Sequence, residues 1–184
     1  MKRLFDIAFS ILGLAFFFPL LLVICLTIYL TNGRPIFFFQ TRVGKNQQPF
    51  LIYKFRTMVV DASSKGGYAT ESEDSRITGF GGFLRRSSLD ELPQLLNVLA
   101  GDMSLVGPRP DVFEQESLYN SEEWVKRHLV QPGITGLAQA TLRSQASVLE
   151  RKFADIYYVE NQSFWLDVLI LFKTIRQILG AGGN

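Results

Sequence analysis

Asp90 and Glu91 stand side by side in Ser87-Ser88-Leu89-Asp90-Glu91-Leu92-Pro93-Gln94-Leu95, with Arg85 and Arg86 just upstream. Shortly downstream, Gly107-Pro108-Arg109-Pro110 sets an arginine between two prolines. An ionised aspartate can attack phosphorus to form an aspartyl-phosphate. A neighbouring glutamate can hold Mg2+, which takes oxygen ligands and neutralises phosphate charge. The prolines restrict the backbone around Arg109, and a planar guanidinium suits bidentate phosphate binding. Each feature also has an ordinary explanation. An Asp-Glu pair ahead of a leucine-rich run is what a helix cap looks like, and a turn arginine can bond backbone carbonyls. On the two carboxylates alone the cap is the plainer reading. Arg109 shifts the balance toward phosphate chemistry.

The element carrying the pair follows from spacing. Leu92, Leu95, Leu96 and Leu99 recur at helical intervals and Gly101 marks the end. Ser88-Leu89-Asp90-Glu91 matches a capping box, which starts the helix near Ser88. Pro93 would then delete a helical hydrogen bond, whereas with Asp90 as cap it is tolerated. Either start puts Asp90 at a helix N-terminus, where the dipole favours the ionised form.

Around this helix, Ile36 to Phe39 and Phe50 to Phe55 read as strands of a β-hairpin joined by Gly44-Lys45-Asn46-Gln47-Gln48. Lys54 and Arg56 fall on one strand face, either solvated at a sheet edge or in contact with phosphate. Asp61 to Ser75 reads as a mobile surface loop. Gly79, Gly81 and Gly82 could cradle phosphate, although they lack the P-loop spacing and its lysine. Gln131 to Gly136 reads as a turn-rich connection, and Arg143 follows in a polar stretch. His128, the single histidine, has no second histidine to share a metal and reads as structural. Phe153 to Tyr158 and Phe164 to Leu179 have helical patterns. The second suits either a core helix or one lying in a lipid interface, with Trp165 and basic residues at headgroup depth.

The 184 residues suffice for one domain plus an anchor. Ile7 to Leu30 is almost wholly apolar, close to the roughly 20 residues that cross a hydrocarbon core, and too long for a secretory signal. Lys2 and Arg3 precede it, and Arg34, Arg42 and Lys45 follow. Positive charge at both ends conflicts with a simple crossing, and Pro19 favours a kink. A bent helix that enters and returns on one face reconciles the two. Asp6, at the start of this run, reads as a dipole partner, with pairing to Lys2 or a domain arginine as the alternative. A net charge of +2 without basic blocks argues against a nucleic-acid surface. The single cysteine, Cys25, excludes an internal disulfide.

Taken in order, the motifs resemble the bacterial sugar transferases, monotopic polyprenol-phosphate phosphoglycosyl transferases. The resemblance rests on Lys2-Arg3-Leu4-Phe5-Asp6, Tyr53-Lys54-Phe55-Arg56-Thr57-Met58, Ser88 to Leu95, Asn97-Val98-Leu99, Gly101-Asp102-Met103-Ser104, Gly107 to Pro110 and Pro132 to Gln139. It implies transfer of sugar-1-phosphate from a UDP-sugar, with a lean toward N-acetylated amino sugars, to undecaprenyl phosphate, with release of UMP. It further implies Asp90 as the nucleophile that forms a covalent phosphosugar intermediate and Glu91 as the Mg2+ ligand. Arg85, Arg109 and Arg143 match the family's anion-binding arginines, and Pro108 helps to shape the pocket. Small members commonly carry Ser-Pro at the membrane break, whereas this chain has Phe18-Pro19.

The expected architecture is α+β and predominantly helical: a re-entrant membrane helix over 1–32 kinked at Pro19, then a catalytic domain over 33–184 with a small β-hairpin and amphipathic interfacial helices. The implied setting is the cytoplasmic face of the bacterial inner membrane, in contact with membrane lipid and without nucleic acid. Oligomeric state, homo-oligomer included, stays open. Two rival functions are a membrane-bound Mg2+-dependent phosphohydrolase, with water as acceptor, and a non-catalytic scaffold of a glycan assembly complex.

Overall fold

The computed structural model describes residues 1–62, 66, 74–142 and 146–180, without the side chains of 178–180. Most of the Asp61–Ser75 loop and Arg143 therefore lie outside the described residues. The fold is predominantly helical with two small sheets. Helix α1 runs from Lys2 to Asn32 and continues through Pro19. It is long and apolar enough to cross a membrane, and little of it is buried.

Strands β1 (Phe37–Val43) and β2 (Pro49–Phe55) pair antiparallel, with Phe37 opposite Phe55 and Val43 opposite Pro49. The expected hairpin forms, with β1 extended through the polar residues Gln40, Thr41 and Arg42 to Val43. Its turn uses left-handed backbone at Asn46 and Gln47. Helix α2 (Gly79–Arg86) replaces the expected glycine cradle; Thr78 caps it by accepting from the Gly81 amide at 3.0 Å. Gly81 serves packing here, because a Cβ would lie 2.1 Å from the Thr57 carbonyl oxygen.

Helix α3 (Gln94–Ala100) ends at Gly101 in left-handed conformation. It is held to β2 by Asn97, which is fully buried. Asn97 Oδ1 accepts from the Tyr53 amide at 3.0 Å, and its Nδ2 donates to the Leu51 carbonyl at 2.7 Å. One side chain thus replaces a missing strand neighbour. Then come β3 (Ser104–Val106), α4 (Ser121–Arg127), β4 (Gly133–Thr135), α5 (Leu137–Thr141), α6 (Val148–Glu160) and α7 (Phe164–Gly180). The connection expected over Gln131–Gly136 contains β4, which pairs parallel to β3. Three residues are too few for a periodic signal.

Three apolar clusters join these pieces. Ile24 and Ile28 of α1 pack with Phe55 and Leu84, joined by Leu89. Ile52, Val98 and Met103 form a second cluster, and Val106, Tyr158 and Ile170 a third. Helix α7 packs one face into the core, as expected of a core helix, and leaves an apolar face exposed. It buries Asp167 and Ile170 while exposing Trp165, Leu169, Phe172 and Ile175.

The N-terminus of α1 is fastened by polar groups. Lys2 Nζ pairs with Asp167 at 2.6 Å and donates to the Val106 carbonyl at 3.0 Å. Arg3 donates to the carbonyls of Val98 and Leu99 at the C-terminal end of α3, where a cation complements the dipole. Asp6 takes neither expected role. It is buried and accepts from Ser104 Oγ at 2.9 Å and the Leu105 amide at 3.2 Å. At the other end, Arg56 donates to the carbonyls of Asn32 at 2.6 Å and Gly33 at 2.9 Å. Arg56 is thus a buried clamp and not an edge-strand residue in solvent.

The β3–β4 pair is tight enough to require glycine, since a Cβ on Gly133 would sit 2.1 Å from the Gly107 nitrogen. Gly133→Ala is expected to lower stability by about 1–3 kcal/mol through overpacking, measured as the thermal midpoint of the detergent-solubilised chain. A midpoint equal to that of the wild type would contradict this packing.

Candidate active site

The Asp90–Glu91 pair sits on a single 3-10 turn, Leu89–Glu91, between α2 and α3. Neither expected cap forms. Ser88 is left-handed (φ 56) and makes no capping hydrogen bond, and α3 begins only at Gln94 with Pro93 at its N-cap. Pro93 explains the late start, since its missing N–H costs nothing at a helix entrance. The turn is pinned on both sides. Leu84 and Leu89 sink into the cluster with Ile24 and Ile28, while Leu95 meets α1 at Gly13.

Glu91 is drawn away from the backbone by two cations. Its Oε1 accepts from Lys54 Nζ and from an Arg109 terminal nitrogen, each at 2.7 Å. Burial acts to raise its pKa, yet Arg109 and Lys54 outweigh it and hold the carboxyl at about 2. Lys54 is correspondingly buried, and desolvation lowers its pKa against the pull of Glu91. The solvated-edge reading of Lys54 is thereby overturned.

Asp90 behaves in the opposite way. It is buried and accepts no hydrogen bond from the described residues. Burial, followed by the adjacent Glu91 charge, raises its pKa from 3.8 to about 6 against Lys54, Arg85 and Arg109. A helix dipole does not hold it ionised, as the sequence had implied. Near neutrality it is a desolvated, largely ionised carboxylate with unshared lone pairs, the state a nucleophile requires. Arg85 flanks it, with Nε donating to Thr57 Oγ1 at 2.8 Å.

Arg109 is presented by a loop whose carbonyls are all held. The Pro108 carbonyl accepts from the Gly133 amide at 2.9 Å, and that of Arg109 from Arg127 at 2.8 Å. The Pro110 carbonyl accepts from Arg42 at 3.1 Å, and that of Asp111 from the Val43 amide at 2.9 Å. Arg127 is itself buried between Asp111 and Asp155. His128 is buried beside it, with Nδ1 2.7 Å from the Trp124 carbonyl oxygen, in agreement with a structural role. The structure thus brings Asp90, Glu91, Arg85, Arg109 and Pro108 into one region, and Arg143 falls outside the described residues.

Arg42, Gln94 and Arg127 are site residues that the sequence reading missed as such. Arg42 had been noted only as a charge flanking the apolar segment. Arg42 and Gln94 line a shallow depression with Lys54, Glu91, Arg109 and Pro110. A signal existed in the alternation of β1, where Arg42 shares a face with Gln40. Among the described residues no group of three or more His, Cys, Asp or Glu side chains forms a protein-built metal centre. An ion held by one or two carboxylates and completed by substrate oxygens and water does fit the pair. Glu91 Oε2 and both Asp90 oxygens accept no hydrogen bond from the described residues.

A family model described as bacterial sugar transferase matches residues 1–181. The chain belongs to the bacterial sugar transferase family. Similar members include an uncharacterized sugar transferase of Bacillus subtilis, 45% identical over 100% of this chain and 89% of its own length. A second is the UDP-N-acetylgalactosamine-undecaprenyl-phosphate N-acetylgalactosaminephosphotransferase of Aeromonas hydrophila, 41% identical over 99% of this chain. The chain spans 44% of that protein. A third is the UDP-glucose:undecaprenyl-phosphate glucose-1-phosphate transferase of Caulobacter vibrioides, 42% identical over 97% of this chain and 69% of that one.

The Asp90 environment predicts a measurable penalty. A raised carboxyl pKa leaves stability intact below 3.8 and removes it as pH rises through about 6. Relative to Asp90→Asn, the wild type is expected to lose about 2–3 kcal/mol over that window, read from denaturant unfolding as a function of pH. A pH-independent difference would show that Asp90 is not held in a desolvating site.

Proposed function

We propose that this chain transfers sugar-1-phosphate from a UDP-sugar to undecaprenyl phosphate, with Asp90 as the covalent nucleophile. The observation that carries this reading is the contrast within one turn. Glu91 is neutralised by two cations, while its neighbour Asp90 is buried, carries a raised pKa and accepts no hydrogen bond from the described residues.

An Asp90 oxygen attacks the β-phosphorus of the donor. The bond from that phosphorus to the bridging oxygen breaks, and UMP leaves with the electron pair. An oxygen of undecaprenyl phosphate then attacks the phosphosugar-aspartate, restoring the Asp90 carboxylate and releasing undecaprenyl-diphosphate-sugar. Arg109 and Arg85 are placed to neutralise the charge of the diphosphate. Mg2+, held by Glu91 Oε2 and substrate oxygens, would supply further charge neutralisation. Arg143 is proposed as a further anion-binding arginine on the family resemblance.

The acceptor is a lipid, which places the enzyme at a membrane. Both ends of α1 are bonded to the same globular body, Lys2 and Arg3 at one end and Asn32 at the other. This supports an anchor that enters and leaves the bilayer on one face, with Pro19 as the bend, and residues 33–184 as the catalytic domain. The exposed apolar face of α7 supports contact with the lipid interface. We assign the catalytic domain to the cytoplasmic face of the inner membrane, where UDP-sugars are made. Relatives are named for both glucose and N-acetylgalactosamine, so donors of both kinds need testing, with N-acetylated amino sugars first.

Incubation with UDP-sugar and Mg2+ alone is expected to release UMP in a stoichiometric burst and add a phosphosugar to the intact mass. Asp90→Asn is expected to abolish both, with a loss of at least about a thousandfold in turnover. Burst rate should fall as pH drops below about 6, where Asp90 gains a proton. Full turnover by the Asn variant would remove the nucleophile assignment, and turnover without a burst would remove the covalent intermediate.

A further inference from the structure

Two donors in the depression beside Glu91 stand without acceptors. Gln94, the first residue of α3, is 2% exposed, and its Nε2 has no hydrogen-bond partner among the described residues. Arg42 on β1 gives one terminal nitrogen to Gln40 Oε1 at 2.6 Å and the other to the Pro110 carbonyl, leaving its Nε buried and unpaired. A buried N–H without an acceptor costs free energy, and folded proteins rarely retain one without a reason. Two occur here in one wall, beside Lys54 and Arg109, which together make the depression cationic. An acceptor is missing from this wall, and an oxygen of an anion drawn to the cationic depression would supply it, as would a water.

We propose that Gln94, together with Arg42 Nε, forms a subsite for a phosphoryl group of the nucleotide diphosphate, next to the phosphorus that Asp90 attacks. This rests on the transferase reading above. The donor is favoured over the lipid because no residue of α1 lines the depression. A polyprenyl chain would approach along the exposed apolar face of that helix. The competing occupant is one ordered water bridging Gln94 and Arg42.

Gln94→Met keeps the length of the side chain and removes the amide; Gln94→Glu keeps the shape and adds a negative charge. Both are compared with the wild type as full chains in detergent. The first measurement is the thermal midpoint, alone and with UDP or pyrophosphate. The second is KM for the UDP-sugar and for undecaprenyl phosphate. For Gln94→Met the ligand-free midpoint is expected to equal or exceed that of the wild type, since an unpaired donor is lost. Its KM for the UDP-sugar should rise roughly tenfold, the value of one hydrogen bond to a charged group, with KM for the lipid unchanged. Gln94→Glu should lose the shift caused by UDP. A lower ligand-free midpoint with an unchanged UDP shift would assign the amide to a bound water and overturn the proposal. So would a KM change confined to the lipid. If the wild type transfers no phosphosugar from any UDP-sugar, the functional reading fails, and the UDP and pyrophosphate shifts still decide the subsite.

Discussion

Oε1 of Glu91 accepts Lys54 from the hairpin and Arg109 from the proline-bounded loop, each at 2.7 Å. Three segments distant in sequence meet at that oxygen: β2, the 3-10 turn and the loop after β3. Two cations on one carboxylate offset the cost of withdrawing Glu91 and Lys54 from water, and removing Glu91 would leave both cations unpaired, Lys54 in a largely buried place. The contact also separates the roles of two neighbouring acids. Glu91 is paired and held ionised, and its charge adds to desolvation in raising the Asp90 pKa, while Asp90 accepts no hydrogen bond from the described residues. Environment, not residue type, makes them different.

That arrangement needs a rigid frame, and the frame is largely polar. Asn97 ties α3 to β2, and every carbonyl from Pro108 to Asp111 has a donor. Arg127, between two carboxylates, transmits the position of α6 to the backbone of Arg109. Such networks favour a single arrangement because any other leaves buried groups unsatisfied. The site is stiff around Arg109 and costly at Asp90, a combination in which stability is given up locally for reactivity.

Much of this was legible in one dimension. Two aromatic and aliphatic runs around a polar stretch mark the hairpin, since a two-stranded antiparallel pair is a local structure. The Asp-Glu pair and Arg109 follow from residue type and spacing, Arg85 and Pro108 as site residues from the family resemblance, and the structure brings them into one region. Local signals misled where tertiary contacts compete. The capping box at Ser88 failed because Lys54 and Arg109 outcompete a backbone amide for Glu91. Asp6 looked like a dipole partner, but Ser104 and Leu105 claim it across the fold. The glycines before Leu84 lie in a helix, and at Gly81 close approach to Thr57 admits no side chain.

By itself the chain determined its class: an apolar segment long enough for a bilayer, a small hairpin, and an ordered set of motifs that place it among the bacterial sugar transferases. The first two are matters of composition and spacing and the third is a resemblance of ordered motifs, and all survive without knowledge of the fold. Only the tertiary structure decided the charge states of Asp90 and Glu91, the burial of Arg56, the pairing of Lys54 with Glu91, and the unpaired donors of Arg42 and Gln94. Desolvation and pairing depend on which groups meet across long stretches of chain, and no local pattern records that meeting.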